Sequence, residues 1–317
     1  MRIFLTGATG FLGAQTLGLL VERGHRCAVL SRREDLASTR LASLSGRIRV
    51  AAGDMFDVES YRAALRDFAP EALVHCAWWG VAGADRNDIR QLDNIAATGR
   101  LASAAVESGA RFLLGVGSQA EYGRRSGAMR ETDAAEPTTL YGIAKLASGR
   151  ALSNIAAERG VRAVWGRVFS LYGPGDDGPW LVPSLIRAFL ANRAPELTSC
   201  EQIWEFTHVA DAAAAIVALL ESPAANGVFN IGSGEALRLR DAVLLLRDLA
   251  APQIEPLFGR IAYRPDQVMR LQADISRIRD ATGWRPNISL ERGLEETIAW
   301  FRARAALRGG GASRVER

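Results

Sequence analysis

The feature that most constrains this chain is a strand-like run that breaks on glycine and resumes as a helix. Arg2–Thr6 is apolar in the manner of a buried strand, and Gly7-Ala8-Thr9-Gly10-Phe11-Leu12-Gly13 follows it directly, opening the amphipathic stretch Gly13–Arg23. Glycines here permit a tight turn, let the backbone approach a pyrophosphate and let the helix pack closely on the strand. The helix N-terminus adds a favourable dipole. The spacing is G-x-x-G-x-x-G, not the commoner G-x-G-x-x-G. Glycines that merely make a turn would read the same, but the strand–turn–helix context favours a dinucleotide.

The rest of the first half repeats the rhythm. Candidate strands are Arg26–Ser31, Arg47–Ala52, Ala72–Ala77, Phe112–Gly117 and Arg162–Val168, with helical patterns at Ser60–Phe68, Asp88–Ser108 and Thr139–Arg159. Such alternation predicts right-handed βαβ units and a doubly wound α/β parallel sheet covered on both faces. After Val168 the rhythm changes. Tyr172–Pro179 is a turn-rich loop, Trp180–Leu190 and Glu205–Leu220 read as helices, and a last helix spans Leu290–Ala306. The division expected is a dinucleotide domain over 1–168, with 205–230 packing back on it, and a substrate-binding lobe from 169–204 and 231–306. A disordered tail over 307–317 follows.

Composition removes several classes of function. The 317 residues are 48% hydrophobic and 23% charged, with net charge +4 and no basic block interleaved with aromatics, so nucleic acid is not an expected partner. No apolar run reaches the roughly 18 residues of a membrane span. Cys27, Cys76 and Cys200 are few and widely spaced, which fits a reducing cytoplasm and neither a disulfide framework nor a metal site. His25, His75 and His208 lack ligand spacing, so no metal is expected.

Two further segments carry chemistry. Tyr141-Gly142-Ile143-Ala144-Lys145 places a phenol and an ammonium four apart, on one helix face. A neighbouring positive charge favours phenolate, so Lys145 is expected to draw the tyrosine pKa down from about 10. At the end of the second strand stands Leu30-Ser31-Arg32-Arg33, where an NAD site usually has an acidic residue for the ribose 2′-hydroxyl. Two guanidiniums there could pair with a 2′-phosphate, which favours NADP(H), with NAD(H) possible if Glu34 or Asp35 turns in. Asp54, in Gly53-Asp54-Met55, can accept from an adenine amino group or cap the next helix.

Gly7/Gly10/Gly13, Gly53-Asp54, His75-Cys76-Ala77, Asn94, Ser118 and Tyr141-x-x-x-Lys145, in this order, resemble the extended short-chain dehydrogenase/reductase family. That group contains nucleotide-sugar epimerases, dehydratases and 4-ketoreductases. The resemblance continues through Arg167–Gly175, Phe206–Asp211, Phe229–Gly234 and Gly283–Pro286, so it covers nearly the whole chain. It implies a Rossmann-type fold with catalytic Ser118, Tyr141 and Lys145. Ser118 and Tyr141 would hold the reacting oxygen, Tyr141 serving as acid or base, and Lys145 would tune it while holding the nicotinamide ribose. The implied cofactor contacts are Gly7, Thr9, Gly10, Phe11, Leu12, Ser31, Arg32, Arg33, Asp54, Met55, Cys76, Ala77, Trp78, Asn94, Val116, Tyr141, Lys145, Val168 and Phe169. A homodimer is implied too, through the helix bearing Tyr141 and the one near Asp88–Ser108.

The neighbours of Ser118 narrow the activity. Sugar 4,6-dehydratases of the family carry Asp-Glu after this serine, whereas this chain has Gln119-Ala120, neither of which exchanges protons near neutrality. Gly117–Gly123 resembles instead the nucleotide-diphosphate 4-keto-6-deoxyhexose reductases. Trp78 and Trp79 could cover a sugar face or fill the core. Many members have an arginine just before the aromatic that precedes His-Val, but here the run is Ile203-Trp204-Glu205-Phe206, leaving Arg264, then Arg187, as candidates for the diphosphate. Ser118, Gln119, Ala120, Ser170 and Trp180 complete the expected substrate surface. The expectation is an NADPH-dependent reductase acting on the C4 ketone of a nucleotide-diphosphate 4-keto-6-deoxy sugar. A 4-epimerase with retained NAD+ and a non-catalytic NADP(H)-binding regulator are the alternatives.

Overall fold

Strands buried on both faces need helices above and below, and the chain supplies them in alternation. A computed structural model describes residues 1–36, 39–264 and 267–312. In chain order the elements are β1 (Arg2–Thr6), α1 (Phe11–Glu22), β2 (Arg26–Ser31), β3 (Arg49–Ala52), α2 (Glu59–Phe68), β4 (Ala72–His75), α3 (Gln91–Glu107), β5 (Phe112–Ser118), α4 (Leu140–Glu158) and β6 (Arg162–Val168). There follow β7 (Leu171–Tyr172), α5 (Leu181–Leu190), β8 (Ile203–Glu205), β9 (Thr207–His208), α6 (Val209–Glu221), β10 (Gly227–Ile231), β11 (Ala236–Arg238), α7 (Leu239–Ala250), β12 (Arg270–Leu271), α8 (Ser276–Thr282) and α9 (Leu290–Ala312).

Seven strands form one parallel sheet in the order β10-β6-β5-β4-β1-β2-β3. The order reverses between β1 and β4, so a crevice opens at the carboxyl ends of those strands, where ligands bind in folds of this kind. One apolar cluster, including Leu5, Leu17, Val74, Leu114 and Ile216, fills one face, and another, including Phe4, Tyr61, Leu73, Leu101 and Leu113, fills the other. Helix α6 packs on α1 and β10 joins β6, so this later stretch returns to the sheet. A further core around Phe189, Ala242, Val243, Leu246 and Ile298 lies among α5, α7 and α9. Small sheets β11-β8-β12 and β7-β9 complete this second region.

Two expected elements differ. The helix read from Glu205 begins at Val209, because Ile203–Glu205 and Thr207–His208 are short strands paired with segments distant in sequence. The final helix passes Ala306 and runs to Ala312, so 307–312 is helical where a disordered tail was expected. A helix already nucleated extends at one hydrogen bond per residue fixed, and that outweighs the glycines at its end. Residues 313–317 of the expected tail lie outside the described residues.

One packing device sets the spacing of β5, β6 and α4. Trp165 of β6 is 1% exposed, and its indole lies against Gly115 and Gly117 of β5 and Gly149 of α4. A Cβ on any of those three glycines would collide with the ring. The bare backbone therefore lets α4 settle close to β5, with Tyr141 near the strand end. Trp165→Ala would empty this bed and remove one of the two donors to Glu121 Oε1; a loss of about 3–5 kcal/mol in urea unfolding is the expected result.

Candidate active site

The glycine-rich turn has the geometry its sequence suggests. Gly7 sits at φ +73°, and a Cβ there would strike the Cys76–Ala77 backbone, so β1 and the chain leaving β4 touch at this point. At Gly13 a Cβ would meet the Gly7 carbonyl oxygen, which lets α1 start directly above the turn. Gly10 is the N-cap of helix α1, with no side-chain cap bond and no acidic residue in the helix's first turn. Its first amides, those of Phe11 and Leu12 among them, are thus suited to an anion. Thr9 and Gly10 are exposed beside them.

At the end of β2, Ser31 Oγ accepts from the Arg33 amide at 3.1 Å, and the side chains of Arg32 and Arg33 are exposed. Asp54 caps its own turn, Oδ1 accepting from Phe56 N at 3.0 Å, with Met55 packed partly on the sheet core. Of the two roles weighed for Asp54, this bond is the local cap; its second oxygen is not part of it.

The connection from β4 to α3 is folded by two fully buried amides. Gln91 donates to the carbonyls of Gly80 and Asp85 at 2.5 and 2.9 Å and accepts from the Trp78 indole at 3.0 Å. Asn94 accepts from Trp79 N at 3.0 Å and donates to Trp79 O at 3.2 Å, so it holds the loop. His75 links three elements beneath. The Thr98 hydroxyl donates to Asn94 O, which leaves it to accept from His75 Nε2 at 3.1 Å, and His75 Nδ1 then accepts from Thr6 at 2.7 Å. This is a neutral imidazole: burial, then the Lys145 charge, pushes its pKa down to about 3. Cys76 beside it is pushed up to about 12 by burial.

Ser118, the last residue of β5, caps a single turn of 3-10 helix over Gln119–Tyr122. Its Oγ accepts from Ala120 N at 3.1 Å, and Glu121 reaches back to accept from Ser118 N at 2.9 Å. Glu121 is wholly buried. Its oxygens also take Trp165 Nε1 at 2.8 Å and Arg167 Nε at 2.8 Å. Thr139 caps α4, its hydroxyl accepting from Gly142 N at 3.1 Å, which fixes the turn that carries Tyr141.

The three residues expected to act together do meet. The Ser118 hydroxyl acts on the Tyr141 phenol, favouring its ionised form, and Lys145 lies one turn along α4 with Nζ 5.9 Å from the Tyr141 ring centre. Their electrostatics differ from the expectation. Burial pushes the Tyr141 phenol above its ordinary 10.0, opposed by the Ser118 hydroxyl and the Arg86 guanidinium. Lys145 is anchored on other groups. Its Nζ donates to Val116 O at 2.7 Å and sits 3.7 Å from the Trp78 ring, and burial lowers its own pKa to about 7. Trp78 also meets Tyr141 edge-to-face at 6.1 Å, so it lines the site and is not plain core. The ring of Trp79 lies under the Arg90 guanidinium at 4.0 Å.

Other expected contacts are more dispersed. The Phe169 ring is buried with Tyr122, Met129 and Leu271, whereas Val168 is partly exposed at the end of β6. Ser170 Oγ accepts from the Trp204 indole at 3.1 Å. Trp180 is 37% exposed at the start of α5. The Arg187 guanidinium donates to the carbonyls of Asp177 and Gly178 at 3.3 and 2.8 Å, which commits it to the 173–179 loop. Arg264 is exposed. Sequence reasoning missed Glu121, Arg167, Gln91 and Arg86. A Ser-x-x-Glu capping box was available as a signal for Glu121; nothing local marks the others.

The comparisons with known proteins agree with this fold. Residues 3–232 match the model of the NAD dependent epimerase/dehydratase family. The chain belongs to that family, within the extended short-chain dehydrogenase/reductase group. It is similar to a UDP-glucose 4-epimerase of Azospirillum brasilense, 26% identical over 99% of this chain and 97% of the relative. It is also similar to a GDP-6-deoxy-D-mannose reductase of Pseudomonas aeruginosa, 26% identical over 96% and 98%. Among solved structures, the UDP-glucose 4-epimerase of Thermotoga maritima with UDP-glucose superposes with a TM-score of 0.86 at 24% identity, covering 96% of this chain and all of that one. The chain is thus an NAD(P)-dependent oxidoreductase by family. Among the described residues, no helix is long and apolar enough to cross a membrane, and no cluster of three or more His, Cys, Asp or Glu side chains could hold a metal.

Burial of Lys145 makes stability depend on pH in a defined sense. Its folded-state pKa of about 7 lies below the unfolded value of 10.5, so the unfolded chain binds more protons between those limits. The cost of burying the ammonium is fully present below about pH 7 and is lost as pH rises toward 10.5. The stability of Lys145→Met relative to the parent protein should therefore fall steadily between about pH 7 and 10. Urea midpoints across that range check it, and a constant difference would refute it.

Proposed function

We propose that this member of the family is an NADPH-dependent reductase of the C4 ketone of a nucleotide-activated 4-keto-6-deoxy sugar. The observation that carries the reading is that Ser118, at the carboxyl end of β5, acts on the Tyr141 phenol of α4, with no carboxylate free to exchange protons beside it in the chain. Dehydration needs an extra acid and base. Gln119 and Ala120 offer neither, and the next carboxylate, Glu121, is locked against Arg167, Trp165 and the Ser118 amide. The reductase named among the relatives supports this reading.

The residues fit the cofactor. The uncapped start of α1 suits the pyrophosphate, and the exposed Arg32 and Arg33 suit a 2′-phosphate. When bound, the nicotinamide supplies the hydride. The Ser118 hydroxyl and Tyr141 phenol donate to the ketone oxygen, and Tyr141 gives up its proton as negative charge develops there. Lys145, anchored on Val116 O, holds the nicotinamide ribose. Trp78 and Trp79 border the sugar, and Arg264 takes the diphosphate in place of the missing arginine. Two chains pair through α3 and α4, where Leu92 and Ile143 are each 43% exposed.

A 4-epimerase with retained NAD+ would use the same Ser–Tyr–Lys set, and the Azospirillum relative favours it. Net consumption of external cofactor separates the two. Purified protein with NADPH and a panel of nucleotide 4-keto-6-deoxy sugars should lose absorbance at the nicotinamide band; none lost with any sugar would sink the proposal. Tyr141→Phe should reduce turnover by at least about 100-fold while leaving NADPH affinity intact. Arg32→Ser with Arg33→Ser should raise the KM for NADPH by about tenfold or more and leave that for NADH nearly unchanged. Equal effects on both would remove the 2′-phosphate assignment.

A further inference from the structure

Tyr141 faces a second cation that no motif in the sequence indicates. Arg86 lies in the single turn of 3-10 helix over Gly83–Asn87, on the connection from β4 to α3, and its Cζ stands 4.4 Å from the centre of the Tyr141 ring. The placement is built into the fold. Buried Gln91 holds the carbonyl of Gly80 before the turn and that of Asp85 within it, and Asn87 Oδ1 accepts from Leu140 N at 3.1 Å, one residue before Tyr141. The nearby Asp88 is paired with Arg90 at 2.9 Å, and among the described residues no carboxylate is ion-paired with Arg86. A guanidinium keeps its charge at every pH of interest.

The other groups facing the phenol come from β5, the turn after it, and α4. The Ser118 hydroxyl favours its ionised form. Glu121 opposes its ionisation but is itself paired with Arg167 at 2.8 Å. Lys145 stands farther off, Nζ 5.9 Å from the ring centre, and is anchored on Val116 O and the Trp78 face. We propose that Arg86 is the positioning residue that keeps a standing positive charge against the face of the Tyr141 phenol, while Lys145 serves the cofactor side. A cation there favours the phenolate and so makes Tyr141 a better proton donor to the ketone oxygen. This rests on Tyr141 being the acid, as proposed above. It assigns to the β4–α3 connection a part in acid strength as well as in sugar contact.

The experiment reads the phenol directly and needs no substrate. The protein is prepared with 3-fluorotyrosine, whose phenol ionises at lower pH than tyrosine, and the Tyr141 signal is assigned by its loss in Tyr141→Phe. Fluorine NMR then follows its ionisation against pH. In Arg86→Gln the midpoint should rise by about one pH unit, a tenfold change in proton affinity and the low end for a charge at this distance because Arg86 is half-exposed. Arg86→Lys should return it most of the way, which a purely structural role for the side chain would not do. Arg86→Gln titrating with the parent protein or at lower pH would overturn the proposal, and so would failure of Arg86→Lys to restore the midpoint. Because turnover is not measured, a wrong substrate class would leave this result untouched.

Discussion

A single buried carboxylate, Glu121, holds the carboxyl end of β5 and its neighbour β6 together. Its two oxygens take the Ser118 amide, the Trp165 indole and the Arg167 guanidinium, so they join the end of β5 to two residues of β6. A buried ion pair of this kind adds little net stability over an apolar replacement, but loss of one partner leaves an uncompensated charge and costs about 3–5 kcal/mol. What it contributes is position. Ser118 cannot turn away from the sheet edge while its amide is held, and Trp165 cannot leave the glycine bed that brings α4 alongside.

The site that results is dry, and dryness sets its chemistry. Burial raises the Tyr141 phenol and lowers the Lys145 ammonium, so each group is pushed toward its neutral form. The Ser118 hydroxyl and the charge of Arg86 act against burial at Tyr141. Below them the Thr6–His75–Thr98 chain ties β1, β4 and α3 with a neutral imidazole, which keeps a further charge out of the floor.

Much of the architecture was legible because strands buried on both faces read as continuous apolar runs between turns. β1, β2 and β6 have the boundaries their sequences suggest. β4 stops at His75, two residues early, because the backbone there bends to meet Gly7. The segment before α6 was misread because Glu205 and His208 belong to strands whose partners, β11, β12 and β7, are remote or equally short. Pairing of that sort leaves no periodic signature. The Ser118–Tyr141 meeting was legible; the direction Lys145 takes was not, because it depends on where Val116 O and Trp78 lie.

The sequence by itself determined the parallel sheet, the glycine turn suited to a dinucleotide, the Ser–Tyr–Lys set and the lack of a dehydratase acid and base at Gln119-Ala120. These are local patterns, fixed by backbone permission, helix spacing and side-chain chemistry. The tertiary structure alone decided which charges act on the phenol. Arg86 and Tyr141 are far apart in the chain and meet only because Gln91 and Asn87 fold the loop against α4. Electrostatics depends on distance and burial in space, and neither can be read along a sequence.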